Sequence, residues 1–199
     1  EESDESDAVI VTPFADTVHE EGYDDGSFEG EFNAGSGNFS AVRFSAGSAG
    51  ENIVRFKWFQ NGSGGAFYIK VFEDDGGMPG AEIFSAVQAS GNVDGWNEKD
   101  LSSQGLNVSG DFWIGTKEFS SSKPFGLDTS SDSGNSYSRV GSSGDWASVS
   151  GNLAYHVFLD EGSCIAALGD MNADGGWNVV DVVALANCVL AANCADLTN

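Results

Sequence analysis

Between Asn38 and Asp160 the chain repeats one pattern: short runs rich in Val, Ile, Phe, Tyr and Trp, broken by clusters of Gly, Ser, Asn and Asp. The runs include NFSAVRFS (38–45), NIVRFKWFQ (52–60), AFYIKVFE (66–73), EIFSAVQ (82–88), DFWIGTKEF (111–119), DWASVS (145–150) and NLAYHVFLD (152–160). Several alternate with period two. Val54, Phe56 and Trp58 fall on one side and Arg55 and Lys57 on the other; Phe67, Ile69 and Val71 oppose Tyr68 and Lys70. Successive side chains of a strand point to opposite faces, so this alternation marks strands with one face buried. Many such strands with turn residues between them predict a mainly β chain, an antiparallel sandwich or barrel. The 27 Gly and 3 Pro suit many tight turns.

The pattern changes after EGSC (161–164). Val182, Leu185, Ala186, Val189 and Leu190 recur at i, i+3, i+4, i+7 spacing, the apolar stripe of a helix. Just before it stands GDMNADGGWNVVD (169–181). Numbered from Asp170, the residues Asp170, Asn172 and Asp174 take positions 1, 3 and 5 of a twelve-residue loop. Gly175 takes the sharp turn, Gly176 offers a carbonyl, Asn178 takes position 9 and Asp181 closes the loop. Hard Ca²⁺ requires six or more oxygens around one point, which this spacing supplies; Mg²⁺ demands a tighter octahedron. Ca²⁺ is therefore the expected cofactor. The domains expected are an acidic N-terminal arm (1–18) with AVIVT (8–12) as a potential donor strand, a β-sandwich (19–160), and a calcium-binding module (161–199).

Charge narrows the partners. The chain carries 31 acidic and 8 basic residues, a formal net charge of −23 at pH 7, and 12 of the acids lie in the first 31 residues. Such a field repels nucleic acid and anionic membrane. No apolar run is long enough for a membrane span. The opening EESDESD without Met is expected of a processed, secreted product, and in that compartment Cys164, Cys188 and Cys194 are disulfide candidates with three pairings open. Two adjacent carboxylate pairs, Asp24–Asp25 and Asp74–Asp75, precede Gly. They read either as a second calcium site within the sandwich or as turn chemistry.

Catalysis is not expected. The histidines are His19 and His156, and His156 alternates with Tyr155 and Val157 as a structural residue would. Neither a G-x-S-x-G elbow nor an H-E-x-x-H pair occurs. Trp58, Trp96, Trp113, Trp146 and Trp177 are candidates for a sugar-stacking platform, or for packing.

Two resemblances add to this reading. GDMNADGGWNVVDVVALANCVL looks like one half of a dockerin module, the calcium-binding F-hand repeat of secreted bacterial proteins. Dockerins normally pack two repeats together and bind a cohesin. This chain has one, so its apolar helix face must be covered by the β domain, another copy or a partner. YDDGSFEG (23–30), AVRFS (41–45), VFEDDGGMPG (71–80), VSGDFWIGTKEF (108–119), PFGLDTS (124–130) and GNLAYHVFL (151–159) resemble a jelly-roll accessory module of large secreted bacterial proteases and surface proteins. The resemblances imply a secreted or cell-surface location and a non-enzymatic role. The function expected is a calcium-binding structural subunit that self-associates into a surface polymer or filament by strand or helix exchange. The alternative is a non-catalytic module that binds polysaccharide or docks on a cell-surface scaffold.

Overall fold

The computed structural model describes residues 18–161, together with Val179, Val182 and Val183, which are helical and exposed. The chain divides into two compact units, Glu1–Glu161 and Gly162–Asn199. The first is mainly β and antiparallel. Its strands are β1 (Val18–Glu21), β2 (Gly30–Phe32), β3 (Phe39–Gln60), β4 (Phe67–Asp74), β5 (Pro79–Gln88), β6 (Gly95–Asp100), β7 (Asn107–Glu118), β8 (Phe125–Asp128), β9 (Ser136–Arg139), β10 (Trp146–Ser148), β11 (Asn152–Leu153) and β12 (Tyr155–Asp160). Along the sheet the order is β1-β12-β3-β7-β4-β5, with β6, β8 and β9 also paired to β3. No helix among the described residues is long and apolar enough to cross a membrane.

The pattern predicts separate strands over 38–45 and 52–60; the structure joins them into one strand of 22 residues. At about 3.3 Å per residue a straight strand of that length would span roughly 70 Å, whereas a compact domain of this size is about 40 Å across. The strand therefore has to bend, and AGSAGE (46–51) is where it does. The β3–β7 register runs from Phe39 opposite Lys117 to Ala46 opposite Gly110, then shifts before Glu51 meets Val108. Gly50 takes φ +89°, and a side chain there would press on Asn107. Beyond the bend β3 changes partners: 52–58 pair with β12 and 55–60 with β6.

Bending brings two inner faces together over one core. Val42 and Phe44 come from the first half of β3, Phe56 and Trp58 from the second; β4 adds Ile69 and Val71, β7 adds Ile114, and β12 adds Tyr155, Val157 and Leu159, all fully buried. Aromatic rings interlock there edge to face, as Trp58 on Phe67 and Phe125 on Tyr155. A polar tie crosses the core. The Tyr155 hydroxyl lies 2.8 Å from Ser40 Oγ and 3.1 Å from Thr116 Oγ1, which lie 3.0 Å from each other. Burial holds the Tyr155 phenol neutral, its pKa pushed far above the ordinary value. Gly115 sits beside this tie because a Cβ there would collide with the Ser40 carbonyl.

A second, smaller cluster of Phe39, Ala41, Phe72 and Trp113 fills the opposite face of the first half of the sheet. Trp113 is fully buried there and its indole N–H donates to Asp74 Oδ1 at 2.7 Å. Farther along, Asp128 fixes the β8–β11 corner. It accepts from the Ser130 hydroxyl and amide and from the Ser131 hydroxyl, and these bonds hold its carboxyl at about 2.

Removing one member of the core tie leaves the other hydroxyls partly unsatisfied. Tyr155→Phe is expected to destabilise the domain by about 1–3 kcal/mol, read as a lower urea midpoint with an unchanged m-value. A midpoint within error of wild type would show that the tie contributes nothing.

Candidate functional site

Strand alternation sets the site. On β12, Tyr155, Val157 and Leu159 enter the core, so His156 and Phe158 face outward. Register places His156 opposite Lys57 and Phe158 opposite Arg55 on β3; Lys57 faces Glu98 and Phe59 faces Trp96 on β6; Glu20 of β1 faces Phe158. The outer face of β1, β12, β3 and β6 thus interleaves aromatic rings with charges. Arg55 lies over the Phe158 ring at 4.6 Å and pairs with Glu98 at 3.1 Å. Lys57 lies 4.6 Å from the centre of Trp96, whose ring also meets Phe28, Phe59 and His156 edge-on.

An open cleft of about 470 Å³ is cut into this face, lined by Glu20, Gly22, Asp24, Asp25, Gly26, Lys57, Trp96 and His156. His156 is its centre. Nδ1 is 2.6 Å from Glu20 Oε1 and Nε2 is 2.6 Å from Asp24 Oδ2. Ionised carboxylates only accept, so both ring nitrogens donate and the imidazole is a cation. Burial alone would lower its pKa, but the bonds and charges of Asp24 and Glu20 outweigh it and the net direction is up. Glu20 behaves in the mirror sense. Burial raises its pKa, yet bonds from Lys57 (2.6 Å) and His156 bring it below the ordinary value. Gly22 makes the arrangement fit, since a Cβ there would collide with the His156 ring. With both nitrogens committed, His156 has no lone pair for general-base work. Asp25, the Lys57 ammonium and the Trp96 indole border the cleft, while the Asp24 side chain is 1% exposed.

Of the residues expected from sequence, Asp24 and Asp25 line this cleft. Asp24 is bonded to His156 and the Gly26 amide, and Asp25 accepts from Ser27 and Ser130. Asp74 lines a different hollow of about 330 Å³ with Glu73 and Asp111, and its oxygens accept from Trp113 and the Gly77 amide. Asp24 and Asp25 therefore line one hollow and Asp74 another, while Asp75 borders neither. Of the two readings open for the tryptophans, Trp58 and Trp113 take packing: both are fully buried, Trp58 in the main core and Trp113 in the smaller cluster on the opposite face. Trp146 packs against Phe39 and Phe72. Trp96 remains. Asp170, Asn172, Asp174, Gly176, Asn178 and Asp181, the cysteines Cys164, Cys188 and Cys194, Trp177 and residues 8–12 lie outside the described residues. Sequence reasoning missed Glu20 and Lys57; His156, read there as a structural residue, has both ring nitrogens bonded to carboxylates. It also missed a second gathering, in which His19, Glu51 and Glu161 bring ligand atoms within 4.8 Å of one another. Crowded acids in HEEGYDD (19–25) were the available signal; the partners, more than 130 residues away for His156, were not.

No family model matches the chain, and no curated protein matches it. Among solved structures it is similar to a clostridial cysteine protease, Cwp84 after propeptide cleavage, at 13% identity and TM-score 0.55, over 75% of this chain and 41% of that one. A structure of the cysteine protease and lectin-like domains of Cwp84, a surface layer associated protein of Clostridium difficile, aligns at 12% identity and TM-score 0.47, over 63% of this chain and 32% of that one. The chain spans less than half the length of either, and the first likeness is one of β fold.

The ionic triad gives a pH signature. A raised His156 pKa contributes stability that is full below the unfolded value of 6.5 and is lost as pH rises through the folded value. The lowered Glu20 pKa contributes above the unfolded 4.5 and is lost as pH falls through the folded value. Stability from the triad is thus greatest between those two limits, and His156→Gln is expected to flatten the alkaline arm. Proton NMR of the His156 ring should give a midpoint above 6.5; a midpoint at or below it would contradict the geometry.

Proposed function

We propose that this chain is a non-catalytic accessory domain of a secreted or surface-attached protein, and that its outer-face cleft binds carbohydrate. One observation carries the reading: the open cleft sets Trp96 beside Asp24, Asp25 and Lys57, held in place by the His156 triad. Sugars present apolar C–H faces ringed by hydroxyls. An indole takes the former, and rigid charged acceptors and donors take the latter without reorganising. The committed nitrogens of His156 support a binding role over catalysis. The β likeness to part of a larger protease is consistent with a module that serves a neighbouring domain. In this proposal the bent sheet is a jelly-roll-like sandwich. The loop Asp170, Asn172, Asp174, Gly176, Asn178 and Asp181 holds Ca²⁺ at the start of a dockerin-like helix, on the strength of its oxygen spacing.

A second reading, the structural subunit, is favoured by β5. Among the described residues β5 pairs with β4 alone, and Ile83 and Val87 on it are 41% and 49% exposed. An open edge with exposed apolar residues is where an added strand such as AVIVT (8–12) of another copy would pair.

The readings separate experimentally. On an array of extracellular polysaccharides, Trp96→Ala is expected to lose at least about tenfold in affinity, with its β circular dichroism unchanged. Equal binding by wild type and variant, or no binding to any glycan, would reject the cleft. Light scattering with and without Ca²⁺ tests the second reading: calcium-dependent oligomers that Ile83→Lys abolishes would support it, and a monomer in both conditions would remove it.

A further inference from the structure

We propose that His19, Glu51 and Glu161 form a binding site for a divalent transition metal of the zinc class. Three separate parts of the fold converge there. His19 stands on β1 opposite Leu159, Glu51 ends the bend of β3, and Glu161 follows β12. One ligand atom from each lies within 4.8 Å of the others. The decisive observation is Glu51. Its side chain is 9% exposed, and Oε2 is buried with no hydrogen-bond donor among the described residues. His19 Nε2 stands 3.9 Å from it, beyond hydrogen-bond reach. Buried carboxylate oxygens are rarely left so, because desolvation is then uncompensated. Around the same imidazole stands Glu21, with Oε1 3.7 Å from Nε2. One imidazole offsets at most one of three carboxylate charges, whereas a bound dication offsets two and gives the buried oxygen a partner.

Ligand type selects the metal. An imidazole nitrogen with carboxylate oxygens suits zinc-class ions; calcium takes oxygens only. Tetrahedral zinc with bonds of about 2.0 Å sets its ligand atoms roughly 3.3 Å apart, so the His19–Glu51 spacing of 3.9 Å needs only a small closure. Three protein ligands leave a fourth position for water or for Glu21. The ion would staple the edge strand β1 to the bend of β3 and to the end of β12.

Two other metal loci must be silenced in the test, the calcium loop and the thiols. The full chain is therefore stripped of metal, alkylated with iodoacetamide and held in excess calcium, then titrated with zinc chloride by calorimetry. One equivalent of zinc is expected. Glu51→Gln keeps the side-chain shape, and His19→Gln alters a residue at the edge of the sheet, so both retain the fold. Each is expected to weaken zinc binding at least about tenfold. Failure of the alkylated wild type to bind zinc, or binding that both variants match, would overturn the site.

Discussion

A strand too long for its domain is the constraint on which the structure depends. β3 reaches from Phe39 to Gln60, and its bend at 46–51 turns one strand into two faces of a core. Val42 and Phe44 meet Phe56 and Trp58 across that core, and the Tyr155 hydroxyl closes the gap onto Ser40 and Thr116. The same geometry sets what lies outside. Beyond the bend, alternation sends Arg55, Lys57 and Phe59 to the outer face, where β12 and β6 supply His156, Phe158 and Trp96. At the bend itself Glu51 is carried into a buried position beside β1.

The two histidines illustrate how a very acidic chain handles its few cations. His156 sits between Glu20 and Asp24 with both nitrogens bonded, and Lys57 shares Glu20. Charge there is balanced locally, and both ring nitrogens are fixed by short bonds. His19 lies on the same strand, one residue before Glu20, on the other side of it. Its carboxylate neighbours are more distant, and among the described residues one oxygen lacks a donor. Strand alternation thus splits HEE (19–21) between the closed ionic triad of Glu20 and the looser group around His19, an outcome decided by which face each residue takes.

Most of the acids lie outside these places, in a chain of 31 acidic and 8 basic residues. Asp128 shows how individual acids are absorbed: serine hydroxyls and amides, rather than bases, stabilise its charge. Glu118 is buried with the Ala34 and Gly35 amides as donors. With eight bases in the whole chain, such neutral donors carry much of the load.

By itself the sequence determined the class. Period-two runs between Gly-rich turns made residues 18–161 antiparallel β, because alternation is a local property of the extended backbone. The choice among tryptophans was not legible. Nothing in the sequence ranks Trp96 against Trp113; the covering of one sheet face by Phe39, Phe72 and Tyr137 buried Trp113, while Trp96 stands at a cleft. Nor could sequence join Glu20 to His156 or His19 to Glu51 and Glu161, since these pairings are created by strand register over long separations. Local pattern encodes which residues face inward; the tertiary structure decided which outward residues meet, because meeting depends on how β3 bends and on what pairs beside it.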